Sequence, residues 1–265
     1  MQSTSTETSV MKALEVLNCF RGGERDLGVT EITRRTGIPK SSVHRLCATL
    51  TAAGYLVRTE RRGYRLGLRV FEIGSAAVSP FGARTDASRF LQQLTVLTGE
   101  TSQLGVLDEG DVVYIDKIET PRSSPMPSQV GRRNPAHATG IGKALLAWNR
   151  GAATMVLRGA PLVRFTKNTI TTADGLRREL QNIMLEGVAY DREERHLGTA
   201  CVAAPVRNHL GEVVAALSVS GPVTRMTSER LLELAPVTRQ AAIALSKQIG
   251  WRSGAGTLGL VASGQ

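Results

Sequence analysis

Apolar positions in the first fifty residues recur at helical spacing and break at glycines. Met11, Leu14, Val16, Leu17 and Phe20 predict an amphipathic helix that Gly22 and Gly23 stop. Val29 to Thr36 predicts a second, short helix ended by Gly37. Ile38-Pro39 then leads tightly into a third helix. Proline suits that start because the first helical N–H groups lack intrahelical partners anyway. In this helix Val43, Leu46, Cys47 and Leu50 fall at i, i+3, i+4 and i+7, a stripe that must face a core. The period then shortens. Two strand-like runs, Tyr55 to Thr59 and Tyr64 to Leu66, flank a turn ending in Gly63 and predict a hairpin. Leu68, Val70, Phe71 and Ile73 resume a helix that runs toward a linker at Ser79-Pro80-Phe81-Gly82.

Beyond Ala83 helical and alternating patterns mix. Phe90, Leu91, Leu94 and Leu97 predict a helix stopped by Gly99. Strands are expected over 103–107 and 112–118, joined by a turn at Asp108 to Asp111, and another near 126–130. Helices are expected over 142–148, 176–187 and 227–249, and strands over 188–190, 199–206 and 212–220. This is α+β built on a mainly antiparallel sheet. The Gly/Ser-rich tail, 251–265, is expected to be disordered.

Composition excludes several classes. The 265 residues are 42% hydrophobic and 21% charged, an ordinary globular balance. No run of about 18 apolar residues occurs, so no transmembrane helix is expected. The Ser/Thr-rich start lacks the apolar core of a signal peptide. Cys19, Cys47 and Cys201 are odd in number and far apart, and they read as buried thiols of a reducing cytoplasm. His44, His137, His196 and His209 have no metal-ligand spacing, so neither a zinc site nor another metal or cofactor is expected.

Charge is unevenly placed. The formal net charge is +10, yet between Arg34 and Arg69 nine cations face a single acid, Glu60. A local basic patch of this kind is the electrostatic footprint of phosphate binding. Two short helices around a Gly-containing turn, followed by a basic hairpin, make a winged helix-turn-helix over residues 10–66. The polar face of the third helix would enter the major groove. It offers Lys40, Ser41, Ser42, His44, Arg45 and Thr49, with Arg34 on the helix before it and Arg61 and Arg62 at the wing tip.

The second part offers a different chemistry. If the loop Asn208 to Gly211 joins two strands symmetrically, Cys201 faces Ser218 and Thr199 faces Ser220, all on one sheet face. A face of small, weakly polar side chains leaves room for a packed helix or a small molecule. The segment Ala138-Thr-Gly-Ile-Gly-Lys143 lacks the leading glycine and the Ser/Thr of a phosphate loop, so a nucleotide site fails. Thr139 is placed to cap the next helix, leaving N–H groups at Gly140 to Gly142 for a carboxylate.

From Ser9 to Ile249 the chain resembles the isocitrate lyase regulator (IclR) family of bacterial transcription factors. The resemblance rests on the winged helix-turn-helix, then HATGIGKALLA from His137, DREERHLGTACVAAPV from Asp191 and GEVVAALSVSGP from Gly211. It implies a DNA-binding domain with its linker helix over 1–80 and a GAF-like effector-binding domain over 81–250. It also implies a homodimer or homotetramer on palindromic duplex DNA, with no membrane partner. By the same resemblance the effector is met by Gly140, Ile141, Asp191, Thr199, Cys201, Ser218 and Ser220; the N–H groups and cationic surroundings point to an organic or aromatic acid. Met126 lies in a variable segment that closes the pocket. Two rival functions remain: an enzyme or sensor with Cys201 as nucleophile, and a structural or RNA-binding module.

Overall fold

The computed structural model describes residues 8–22, 26–60, 62–78, 83–120 and 128–252. Arg61, Met126, the linker 79–82 and the tail beyond 252 lie outside them. Contacts group into two compact units, one within residues 1–80 and one within 81–265.

The first unit is helical with one hairpin. Helix α1 (Ser9–Asn18) is capped by Thr8 and runs into a tight turn of helix at Cys19–Gly22. Helix α2 (Val29–Thr36) ends at Gly37, whose φ of +71° is the left-handed conformation a glycine adopts without a Cβ clash. Helix α3 (Lys40–Ala52) follows directly. Strands β1 (Leu56–Arg58) and β2 (Tyr64–Leu66) pair antiparallel, and a bridge from Leu27 to Tyr64 ties the hairpin back to the start of α2. Helix α4 (Leu68–Val78) closes the unit. Val16, Phe20, Ile32, Ile38, Val43, Cys47 and Leu56 share one core. The expected stripe of α3 is therefore buried, with Leu46 only partly so.

The second unit is a six-stranded antiparallel sheet in the order β5-β4-β3-β8-β7-β6. Its strands are β3 (Thr101–Asp108), β4 (Asp111–Ile118), β5 (Arg133–Pro135), β6 (Ala189–Arg192), β7 (Thr199–Arg207) and β8 (Val213–Pro222). Helices α5 (Ala83–Thr98) and α9 (Ser228–Gln248) lie on one face. Helices α6 (Gly140–Leu146) and α8 (Ala173–Glu186) pack on the other, through Ile141, Leu145, Leu176, Leu180 and Ile183. Helix α7 (Arg150–Arg158), capped by Asn149, was not foreseen, and none of its residues is fully buried.

Two expectations need correction. The strand placed near 126–130 lies at Arg133–Pro135, because Gln129 to Arg132 closes a turn instead: the Arg132 N–H donates to the Gln129 carbonyl at 3.0 Å. The β7–β8 register is also shifted by two residues. Cys201 faces Ser220, Ala203 faces Ser218 and Thr199 faces Pro222. The Asn208 N–H meets the carbonyl of Glu212, not of Gly211, and a bulge at Val206/Arg207 adds a second offset. One single-residue offset would flip every side chain to the other face; two restore it. Thr199, Cys201, Ser218 and Ser220 thus share a face despite the wrong partners.

Candidate functional site

Helix α3 presents one face to solvent. Lys40, Ser41, His44, Arg45 and Thr49 are exposed and Ser42 is partly so, while Val43, Cys47 and Leu50 are buried behind them. The i, i+4 spacing of Lys40/His44 and Ser41/Arg45 puts these donors on adjacent rows. Arg34 is differently placed. Its Nε and Nη2 donate to Glu31 at 2.8 and 2.6 Å, and Arg35 shares the same carboxylate. Those hydrogen bonds, Arg34's foremost, hold the Glu31 carboxyl down at about 2, so the pairing persists throughout the physiological range. Glu31 stands three residues before the basic stretch and neutralises part of it. In the hairpin turn Arg62 adopts φ +59°, and its N–H donates to the Thr59 carbonyl.

In the second unit a polar cavity lies between the sheet and the start of α6. Neighbouring strands place Asp191 (β6) opposite Cys201 (β7), Cys201 opposite Ser220 (β8) and Ser218 opposite Gln103 (β3). Gly140, Ile141, Asp191, Thr199, Cys201, Ser218 and Ser220 all line it. So do seven residues outside the expected effector set: Gln103, Tyr114, Ser128, Asn134, Thr139, Arg195 and His196. The alternation of β3 would have pointed to Gln103. Nothing local would have found Asn134 or Tyr114. The cavity holds about 30 Å³, room for a water, so an organic acid enters only if lining side chains move.

Glycine makes the close approach possible. A Cβ at Gly140 would sit 2.6 Å from Cys201 Sγ, and one at Gly142 would sit 2.2 Å from the Ala136 carbonyl. The N–H groups here are not all free. Gly142 donates to the capping Thr139 Oγ1 at 3.2 Å, and the Gly140 N–H is directed at the Cys201 sulfur.

Electrostatics divide the site. Burial, then the nearby Glu194 charge, pushes the Asp191 carboxyl up to about 7; its Oδ1 accepts the Glu194 N–H at 2.7 Å. Lys143, a fully buried residue of α6, donates to Glu179 at 2.8 Å and Glu194 at 2.5 Å. Burial disfavours its charge, but the two carboxylates outweigh burial and keep it above the usual lysine range. Arg195 donates from Nε to Asn134 Oδ1 at 3.1 Å, and its guanidinium lies 4.1 Å over the Phe165 ring.

Cys201 is not placed as a nucleophile. Burial, then Asp191, pushes its thiol up, and burial pushes His196 down. Both shifts oppose a thiolate–imidazolium pair. All three cysteines are free thiols, Cys19 being half-buried and not fully buried as expected. Among the described residues no cluster of His, Cys, Asp and Glu could hold a metal, and no helix is long and apolar enough to cross a membrane.

The Asp191 shift has a testable sign. A carboxyl raised on folding prefers its neutral form, so its contribution to stability is complete below the unfolded value near 4. It is lost as pH rises toward about 7. Asp191→Asn should therefore gain on the parent between those values, by at most about 1.4 kcal/mol per pH unit, and then hold level. Urea midpoints at three pH values measure it; a pH-independent difference would contradict the shift.

Residues 9–60 match the family described as the IclR helix-turn-helix domain, and residues 75–247 match Bacterial transcriptional regulator IclR C-terminal. The chain is similar to the HTH-type transcriptional regulator KdgR of Escherichia coli, 38% identical over 92% of this chain and 93% of that protein. It is 37% identical to XynR of the same organism, over 92% and 97% of the two chains. Among solved structures, the IclR of Thermotoga maritima superposes with a TM-score of 0.76 at 32% identity, covering 92% of this chain and 99% of that one. An IclR homologue from Microbacterium hydrocarbonoxydans, complexed with 4-hydroxybenzoate, gives a TM-score of 0.82 at 26% identity, over 91% and 99%.

Proposed function

The chain belongs to the IclR family of bacterial transcriptional regulators, and on that premise we propose that α3 reads operator DNA while the Asp191–Cys201 cavity takes the controlling small molecule. The observation that carries the DNA half is the α3 face itself: polar and cationic residues exposed, the apolar stripe buried. Lys40 and Arg45 donate to phosphate or to guanine edges; Ser41, Ser42, His44 and Thr49 make shorter contacts. Arg61 and Arg62 of the wing reach the backbone or minor groove. Arg34 has a lesser part, since Glu31 already holds it.

We take residues 1–80 as the DNA-binding unit and 81–250 as the effector unit. The protein works as a homodimer, or a pair of dimers, on a palindromic operator. Exposed Val10, Met11 and Leu14 of α1 and Leu68 and Ile73 of α4 support a second copy as partner, because apolar rows on short helices are otherwise left in water. The effector is an organic or aromatic acid that fills the cavity through Asp191, Thr199, Cys201, Ser218, Ser220, Gly140 and Ile141, with Met126 closing it. Its effect on DNA affinity equals its differential binding to two arrangements of the protein, about 1–3 kcal/mol.

Binding to duplex DNA from upstream of the coding region tests this, with a scrambled duplex as control at two salt concentrations. Tighter, steeply salt-dependent binding to the native duplex is expected. A fragment ending at Gly82 should bind more weakly and ignore the effector. Full effector response in that fragment would overturn the two-unit scheme.

A further inference from the structure

We propose that Arg195 selects the ligand of this cavity: its guanidinium receives the carboxylate of a small acid carrying hydroxyl or keto groups, and so prefers the acid to its neutral amide. The proposal rests on the cavity being the effector site and names the chemistry that the site takes.

Arg195 is half-buried in the loop between β6 and β7 and is held on two sides. Phe165 lies under its guanidinium at 4.1 Å, and Asn134 of β5 accepts from Nε at 3.1 Å while also hydrogen-bonding the Tyr114 hydroxyl. Among the described residues Nε to Asn134 is its only side-chain hydrogen bond, and no carboxylate pairs with it. The two terminal nitrogens therefore keep their donors for another partner. A guanidinium fork of this kind matches the two oxygens of a carboxylate.

The surrounding charges leave that task to Arg195. Lys143 is the other nearby cation, and it is closed off between Glu179 and Glu194. Asp191, the acid that lines the cavity, is pushed up to about 7 by burial, so at neutral pH it carries only part of a charge and its protonated fraction offers a donor. The remaining polar lining is largely hydroxyl and amide: Thr139, Thr199, Ser218, Ser220 and Gln103. Thr139 and Gln103 already hold partners in Gly142 and Ser128; the Thr199, Ser218 and Ser220 hydroxyls reward hydroxyl or keto oxygens that a bare hydrocarbon or aryl body would not supply. An arginine that served only to pack against Phe165 would not discriminate acid from amide.

The test uses the full-length protein with sodium glycolate, lactate, glycerate and benzoate, and the amides of the same acids, up to about 20 mM, within the millimolar range expected for ligands this small. Saturation-transfer NMR and the thermal midpoint report binding. The hydroxy acids should bind and raise the midpoint; their amides should not. Arg195→Gln should weaken acid binding at least about tenfold, with Arg195→Lys between, since it keeps the charge but loses the fork. Asn134→Leu frees the guanidinium without removing it and should weaken the acids less, which keeps the proposal testable should Arg195→Gln not fold. Equal binding of acid and amide, undiminished acid binding to Arg195→Gln, or no acid bound to the parent protein would overturn it. Operator affinity measured alongside separates the two ideas. Acids that bind through Arg195 yet leave DNA affinity unchanged defeat the effector assignment alone. A compound that releases DNA irrespective of Arg195 defeats this proposal alone.

Discussion

Arg45→Ala should weaken operator binding by about 30-fold to 10⁴-fold, because one lost base-edge contact is worth about 1–3 kcal/mol and the proposed dimer would lose it twice. Arg45 is exposed on α3, and its backbone carbonyl accepts the Thr49 hydroxyl, an interaction that alanine keeps. The fold should therefore survive, which circular dichroism checks. Two companion variants make the result specific. Lys40→Ala, at the first turn of α3, should weaken all duplexes alike and flatten the salt dependence by about one unit of slope per subunit, two for the proposed dimer. Arg34→Ala should change affinity little, since that side chain already pairs with Glu31 at 2.6 Å. Titrations of fluorescent duplex at several salt concentrations read all three. A larger loss at Arg34 than at Arg45 would refute the assignment of the reading face to α3.

Lys143→Ala should lower stability by about 3–5 kcal/mol, the usual result of removing one member of a buried ion pair. The lysine is fully buried, and its ammonium joins α6 to α8 through Glu179 and to the loop after β6 through Glu194. Glu194 is itself buried, and among the described residues its Oε2 has no hydrogen-bond partner. Without the lysine, that carboxyl must stay charged in the core or take up a proton. Burial already raises it above the usual carboxylate range, and losing the lysine raises it further. The sign follows: the variant's deficit should widen as pH rises through the raised Glu194 range and should be greater at pH 8 than at pH 5. The triple variant Lys143→Met, Glu179→Gln, Glu194→Gln should recover much of the loss, because it leaves no buried charge unpaired. Chemical denaturation measures each case, and a Lys143→Ala deficit under about 1 kcal/mol would show that the pair has little structural role.

Much of the cavity was legible in the chain because β7 and β8 declare their faces by alternation. Thr199, Cys201, Ser218 and Ser220 fall on one side whichever even offset the hairpin takes, whereas Asp191, on β6, was reached only through the family resemblance. The partners themselves were misjudged, since the loop and the bulge each add an offset that no local signal marked. The pairing of Arg34 was missed for a local reason: its acid, Glu31, sits one helical turn upstream, just outside the window in which charge was counted.

What the sequence determined by itself is what a few neighbouring residues decide. Helical period, the Gly37 turn and the alternation of the wing specify the helix-turn-helix, and they place Lys40, His44 and Arg45 opposite a buried stripe. Only the tertiary structure decided which distant residues share the cavity. Asn134 meets Arg195 because β5 and the loop after β6 approach above the start of α6. Lys143 meets Glu194 because α6 packs on the face to which that loop returns. Such contacts depend on the order in which strands pair and on how two layers pack. Residues far apart in the chain acquire a common environment only when the whole sheet has formed.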